Sequence, residues 1–469
     1  GAVLPFIGVL ISPENVLRRP AVAHLAQALG ISTGGELALA LTVAFALTAI
    51  LAGGIRLLVL WASTRLSFAV GIDLGMAAYV RTLYQPFRIH AQKNSSAIIS
   101  ISSNKTSTVV TGVILPSLVL LSQALLLVGV VATLIAIDPI VAMYSAAGLG
   151  ASYLAISRFS RRQLQLNAKR IAEGQINVLK TAREALGGIR NVILDGTQPY
   201  YCDLFNKADK SLRAAQGSNT FISSSPRFAM EGLGMTVLAV LAYGVSRQKG
   251  GVGEALPVLG ALALGAQRLI PAMQSCFASW SSIVGSQASL VQMLNVLDQS
   301  LSEDDLRPSP KRLKFDASIC FEDVRFRYSA DGPWVLDGVS FSIPKGARVG
   351  FVGPTGSGKS TVLDLLMGLL EPTEGRILVD GQPVTGTHVR AWQRNIAHVP
   401  QSIYLIDASV AENIAFGIRP ESIDMERVVE VARQAQIATF IQEGPEGYRA
   451  VVGERGVRLS GGQRQRIGI

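Results

Sequence analysis

The residues whose types and spacing could do chemistry sit late in the chain. Within Gly350 to Thr361 the stretch Gly353 to Ser360 fits the pattern G-x-x-x-x-G-K-[ST]. Glycines at these positions let backbone N–H groups curl around a phosphate, and a helix beginning just after them favours negative charge. The lysine, Lys359, has the reach to pair with the outer phosphates of a polyphosphate, and the Ser360 hydroxyl suits Mg²⁺. The candidate contacts are Gly353, Pro354, Thr355, Gly356, Ser357, Gly358, Lys359, Ser360 and Thr361. An apolar strand over Arg348 to Val352 and a helical run over Thr361 to Leu370 are expected to hold the loop between them.

About a hundred residues further on comes LSGGQRQR, Leu459 to Arg466, with Gln401 in HVPQ between the two motifs. This combination resembles the ATP-binding cassette (ABC) ATPases, and the resemblance extends over the whole chain. It implies ATP and Mg²⁺ as cofactors. Tyr328 in FRYS then matches the aromatic that stacks on adenine, and Gln401 matches the glutamine that senses Mg²⁺ and the attacking water. Ser460, Gly461, Gly462 and Gln463 match the signature that closes on the γ-phosphate held by the opposite subunit, so a second half-transporter, an identical copy on this reading, is implied. VGERG, Val452 to Gly456, resembles a loop that couples cassettes to membrane helices. The acidic strand of the Walker B motif, its glutamate base, the D-loop and the switch histidine normally follow the signature. The four histidines, His24, His90, His388 and His398, all precede it, which reads as truncation and predicts little or no hydrolysis by the chain as it stands.

The elements that must carry these motifs follow from composition. The chain has 469 residues, of which 49% are hydrophobic and only 16% charged, with mean hydropathy +0.36. Soluble chains carry about 25% charged residues, so the deficit points to membrane spans. Apolar runs able to cross a bilayer occur at 36–62, 109–137, 139–157, 229–246 and 254–277, the last interrupted by Arg268 and Pro271. The apolar opening of the chain reads as the outer end of a sixth span. Residues 63–108 hold five Lys/Arg against one acid, and 158–226 hold eleven against five, which places both segments in the cytoplasm. Periodic Leu164, Ile171, Val178, Ala182 and Leu186 extend the helices beyond the bilayer. Bends are expected near Gln85 to Gln92 and Thr197 to Cys202, where Pro86 and Pro199 interrupt. After residue 298 the chain turns charged and proline-bearing, then alternates strands with glycine-rich turns. The expected fold is therefore an all-α six-helix transmembrane domain of ABC exporter type at 1–297, a linker at 298–316, and an α/β P-loop ABC nucleotide-binding domain, truncated at its C-terminus, at 317–469. Cys202, Cys276 and Cys320 are too far apart for a metal-ligand spacing and odd in number.

Ionisable residues inside spans are costly and mark transport paths. Arg56, Arg227 and Arg268 are the candidates, since guanidinium groups bind phosphate or pyrophosphate bidentately. SPRFAMEGLGM (Ser225 to Met235) and QRLIPAMQ (Gln267 to Gln274) resemble the bacterial lipid-linked oligosaccharide flippases of protein N-glycosylation. That resemblance implies a lipid-linked pyrophosphate cargo, residence in the bacterial inner membrane, and a short external helix, for which Asn15 to Leu29 is the candidate. Ser275 stands where a further arginine belongs in that group. A general lipid, drug or peptide exporter has the same architecture, and a cassette that binds ATP without turnover, as a regulatory module, is a reading of another class. A nucleic-acid partner is excluded by position, because the net charge of +10 flanks membrane spans.

Overall fold

A computed structural model of the chain describes residues 33–92, 105–137, 139–246, 251–301 and 310–469. The chain divides into two compact units, Gly1–Arg307 and Pro308–Ile469.

The first unit is helical. Helix α1, Gly34–Leu83, starts on a capping box: Thr33 Oγ1 accepts from Glu36 N–H and Glu36 Oε2 accepts from Thr33 N–H, each at 3.3 Å. At 1.5 Å rise per residue its 50 residues span about 75 Å, more than twice a bilayer core. The chain then turns at Pro86 into the short α2, Phe87–Gln92. Next come α3 (Thr106–Val109), a π-helical turn (Val110–Ile114) and α4 (Leu115–Ile137) in continuous succession. Helix α5, Pro139–Gly187, is followed by α6, Ile189–Leu194, and α7, Gln198–Ser246, with Pro199 in the first turn of α7. Helix α8, Gly251–Leu297, runs unbroken through Arg268 and Pro271. Two helical stretches, Gly34–Leu83 and Thr106–Ala136, are by themselves apolar enough to cross a membrane, with mean hydropathies of 2.2 and 2.6 over their best windows. The other three expected runs lie inside α5, α7 and α8. The first expected span and the Asn15 to Leu29 helix fall outside the described residues.

Small residues let these helices approach closely. A Cβ on Gly71 would lie 2.5 Å from Val110 Cγ2, and one on Gly112 would lie 2.1 Å from Ser286 Oγ. Ser282 Oγ donates to the Gly112 carbonyl at 3.2 Å, tying α8 to the π-helical turn. Asn167 of α5, only 1% exposed, donates to Ser218 Oγ at 3.0 Å and Asn219 Oδ1 at 2.9 Å on α7. The buried Tyr153, Met230, Ile270 and Phe277 join α5, α7 and α8 in one apolar cluster.

The second unit is built on a four-stranded antiparallel sheet of order β2-β1-β3-β4: β1 Ser318–Phe326, β2 Leu336–Pro344, β3 Glu374–Val379 and β4 Gln382–Pro383. Phe321 pairs with Phe341 on one side and Ile377 on the other, and the two phenyl rings stack at 4.4 Å. Its core is Phe321, Val324, Phe326, Leu365 and Val379. Helices α9 (Lys359–Leu366), α10 (Thr387–Gln393), α11 (Val410–Ile414), α12 (Met425–Gln434), α13 (Ala438–Glu443) and α14 (Gly461–Gly468) complete the unit. A second core gathers Leu405, Val410, Ile437 and Val452.

Two local expectations need correction. Arg348 to Val352 is not a strand: it makes no ladder among the described residues, and Val352 is 97% exposed. An apolar extended segment becomes a strand only with a hydrogen-bonded neighbour. The helical run starts earlier and stops sooner than Thr361 to Leu370, because Gly358 caps it in the left-handed conformation and Gly368, at φ +65°, ends it.

Candidate functional site

The phosphate loop is shaped by its glycines. Gly356 and Gly358 both sit at φ +86°, where an L side chain is strained. A Cβ at Gly358 would also lie 2.8 Å from Leu336 Cδ2 and 3.1 Å from the Val335 carbonyl oxygen. Glycine at 358 thus lets the loop lie directly against the start of β2. Val335 and Leu336 were not legible as neighbours of the loop, since nothing local in the sequence joins them to it.

Across this loop, Lys359 Nζ donates to the carbonyl oxygens of Gly353 and Pro354, at 2.9 and 2.7 Å, and lies 3.4 Å from Ser357 Oγ. Ser357 N–H donates to the Pro354 carbonyl at 3.2 Å, closing the turn. Ser360 and Thr361 occupy the first turn of α9, where backbone N–H groups have no intrahelical partner. A cradle of N–H groups, a cation over the loop and a hydroxyl at a helix N-terminus fit a Mg²⁺-bound nucleotide phosphate chain.

Tyr328 comes to the same place from β1. Its hydroxyl lies 3.3 Å from Thr361 Oγ1, and its ring meets Phe326 edge-on at 5.0 Å. With 37% of its surface exposed, Tyr328 keeps part of its ring available to a ligand. Gln401 is exposed in the bend after Pro400, with no side-chain hydrogen bond among the described residues. The preceding His398 bears on α9: burial pushes the Asp364 carboxyl up, and the His398 charge opposes that rise.

The signature segment forms its own anion-facing terminus. Ser460 caps α14 with a capping box: its Oγ accepts from Gln463 N–H at 3.3 Å, and Gln463 Oε1 accepts from Ser460 N–H at 2.7 Å. The Gln463 side chain is therefore occupied, whereas Cβ atoms on Gly461 or Gly462 would meet nothing within 4 Å. Among the described residues, no hydrogen bond joins this terminus to the phosphate loop. VGERG forms a tight turn, with Gly453 at φ +76°, Arg455 at +53° and Gly456 at +67°.

The three arginines lie on three different helices. Arg56 lies in a stretch of α1, residues 46–62, in which every residue is exposed. Arg227 of α7 pairs with Glu231 at 2.9 Å, and Arg268 lies on α8. The two motifs around Arg227 and Arg268 do meet, Met230 packing with Ile270 in one apolar cluster. Just outside the first motif, Gln274 Nε2 donates to the Ser223 carbonyl at 2.8 Å, while Tyr153 OH lies 3.2 Å from Gln274 Oε1.

Comparison with known proteins agrees with both halves. The family model of the ABC transporter transmembrane region matches residues 23–267, just over half of the chain, and that of the ABC transporter matches residues 336–469. An ABC transporter ATP-binding protein of Bacillus subtilis (strain 168) is 33% identical over 294 residues, covering 61% of this chain and 49% of the relative. An ATP-dependent lipid A-core flippase of Chromohalobacter salexigens is 31% identical over 357 residues, covering 75% of this chain and 60% of the relative. The chain thus spans about half to three-fifths of the length of these relatives. A solved bacterial Atm1-family ABC exporter with ATP bound shares the fold, at TM-score 0.75 and 24% identity, covering 100% of this chain and 82% of that one. With a transmembrane region followed by the ATP-binding domain, which in this family uses ATP with Mg²⁺, the chain belongs to the ABC transporters.

Proposed function

We propose that this chain is half of an ATP-driven membrane exporter in the bacterial cytoplasmic membrane, working as a dimer of identical halves. ATP supplies, when bound, a phosphoanhydride whose hydrolysis resets the cycle. The N–H groups of Gly353 to Gly358 cradle its phosphates, and Lys359 shifts from the loop carbonyls to the outer phosphates. Ser360 and Gln401 hold Mg²⁺, Gln401 orients the attacking water, and Tyr328 stacks on the base. The Ser460 hydroxyl and the Gly461 and Gly462 N–H groups engage the γ-phosphate held by the second half, while Gln463 keeps that terminus capped. Nucleotide that binds the closed pair more tightly than the open one shifts the equilibrium, and the helices follow.

The observation that carries this reading is that one chain holds two complementary half-sites, the Gly353 to Ser360 loop and the Ser460-capped α14, with no hydrogen bond between them among the described residues. Their completion calls for a second copy.

For the cargo we infer a lipid-linked, pyrophosphate-bearing saccharide bound by Arg56, Arg227 and Arg268. Support comes from the mutual packing of the Ser225 to Met235 and Gln267 to Gln274 stretches and from a relative that bears a lipid flippase name. The Arg227–Glu231 pair favours a second reading, a general lipid, drug or peptide exporter, because that guanidinium already has a carboxylate. The protein made from its complete gene, reconstituted in liposomes, separates the two. ATPase rate and translocation of a polyprenyl-pyrophosphate saccharide are measured for wild type, Arg56→Ala and Arg268→Ala. Persistent ATPase with lost translocation in the variants supports arginine-bound cargo. A wild type that hydrolyses ATP but moves no pyrophosphate lipid overturns the cargo reading, and one that binds ATP without turnover overturns the exporter.

A further inference from the structure

The loop that carries Tyr328 joins β1 to β2 over residues 327–335. Its two ends are tied, with Val335 N–H donating to the Phe326 carbonyl at 2.8 Å, and Gly332 N–H donates to the Ser329 carbonyl at 3.1 Å within the turn. Arg327 N–H is pinned to Thr373 Oγ1 at 3.2 Å. Across the inside of the loop lies a contact that none of these bonds requires. The Arg327 guanidinium sits over the Trp334 ring, 4.7 Å from its centroid, with both side chains half-buried.

Arg327 Nε is buried and without a hydrogen-bond partner among the described residues. Burying such a donor is unfavourable, and the face of an indole is one of the few surroundings that compensates it, through the attraction between a cation and the ring quadrupole. The stack bridges the two limbs of the loop. Tyr328 follows Arg327 directly, and Val335, which follows Trp334, lies against Gly358 of the phosphate loop. The paired residues therefore sit one step behind the two positions through which the loop meets the phosphate loop and α9.

We propose that the Arg327–Trp334 stack is a clasp that fixes the Tyr328 loop in its nucleotide-receiving shape, setting nucleotide affinity through Tyr328 without touching the nucleotide. Arg327 and Trp334 are in this sense positioning residues. The proposal rests on the reading that Tyr328 stacks on the base. A loop that must order on binding lowers apparent affinity by the fraction of molecules already in the competent shape. Loss of the clasp is expected to weaken nucleotide binding roughly three- to tenfold, with the phosphate contacts untouched. The KM for ATP rises accordingly while kcat stays near wild type.

The test is titration of the purified, complete protein with a fluorescent trinitrophenyl derivative of ATP, with Tm followed alongside. Arg327→Met and Trp334→Ala are expected to lose affinity by that factor, and Trp334→Phe, which keeps an aromatic face, to stay within twofold of wild type. If Trp334→Ala does not fold, Trp334→Leu makes the same comparison. The deciding variant is Arg327→Met in a Tyr328→Ala background. A clasp acting through Tyr328 leaves no further loss there, and an additive loss overturns the proposal. Wild-type affinity in Arg327→Met, or equal losses in Trp334→Phe and Trp334→Ala, also overturns it. If Tyr328→Ala itself binds as wild type, the stacking reading fails and the clasp falls with it. Weak binding by Tyr328→Ala beside normal binding by Arg327→Met sinks the clasp alone.

Discussion

Lys359 Nζ donates to the Pro354 carbonyl at 2.7 Å, so the residue suited to a phosphate chain holds its own loop instead. On the proposed reading a nucleotide phosphate competes with two neutral carbonyls for one ammonium, and its advantage is the Coulomb attraction of a full negative charge, which the carbonyls lack. Lys359→Met is expected to weaken nucleotide binding by roughly tenfold or more, since a hydrogen bond to a charged group contributes about 1.5–3 kcal/mol. Titration with the trinitrophenyl derivative checks this, and an unchanged affinity refutes the phosphate role of Lys359.

Gly358 faces a steeper penalty. At φ +86° and with β2 directly beneath, Gly358→Ala must strain the backbone and push Leu336 and the Val335 carbonyl away. A cost of about 1–3 kcal/mol follows. Gly356→Ala has the same dihedral but nothing within 4 Å of its Cβ, and should cost less. Comparing the Tm of the two variants isolates the steric part; equal losses would show that the contact with β2 is unimportant.

Asp380 makes stability depend on pH. Its carboxylate accepts from the N–H groups of Asp316, Ala317 and Ser318, the last two at 2.8 Å, at the entry to β1. The backbone bond from Asp316 leads in holding this carboxyl below the usual carboxylate range, aided by the Ser318 and Ala317 bonds and the Lys345 charge, with desolvation opposing. Because the folded value is depressed, the stabilisation is fully present above the unfolded value and disappears as pH falls through the folded one. Asp380→Asn should therefore lower Tm at pH 7, and the gap to wild type should close as the pH drops below the carboxylate range. A gap that stays constant with pH contradicts this role.

Asn167 tests the helical unit. Asn167→Ala removes a nearly fully buried amide and leaves Ser218 Oγ and Asn219 Oδ1 without its donors. Unsatisfied buried polar groups cost about 1–3 kcal/mol each, so Tm measured in detergent should fall by several degrees. An unchanged Tm means that water or a neighbouring side chain replaces the amide.

What the sequence disclosed depended on the range of each cause. The loop at Gly353 to Ser360 and the capped terminus at Leu459 to Arg466 were legible because the glycines and cap residues that shape them lie within one short stretch, and the apolar helices over 36–62 and 109–137 because composition alone marks them. The strand expected at Arg348 to Val352 failed because pairing is decided by a neighbour, which apolar residues alone do not specify. The end of α9 falls before Leu370 because Gly368, a helix-stop residue at positive φ, closes it. The pairing of Arg227 with Glu231 has a local sign, since residues four apart on a helix are neighbours. The Arg327–Trp334 stack, closed across a turn, left no local sign at all.

The π-helical turn at Val110–Ile114 bears on how this chain tolerates change in length. A π turn holds one residue more than the α-helical turn it replaces. Each residue of an α-helix rotates the following face by about 100°, so one deletion elsewhere in Thr106–Ile137 would exchange the residues of α4 that pack on α8 for others of different shape, although the helix is apolar all round. A deletion inside Val110–Ile114 can be absorbed by conversion to ordinary α geometry, with Ser282 giving up its bond to Gly112. The turn is thus a slack link, where the loss of one codon is expected to leave α4 in its orientation.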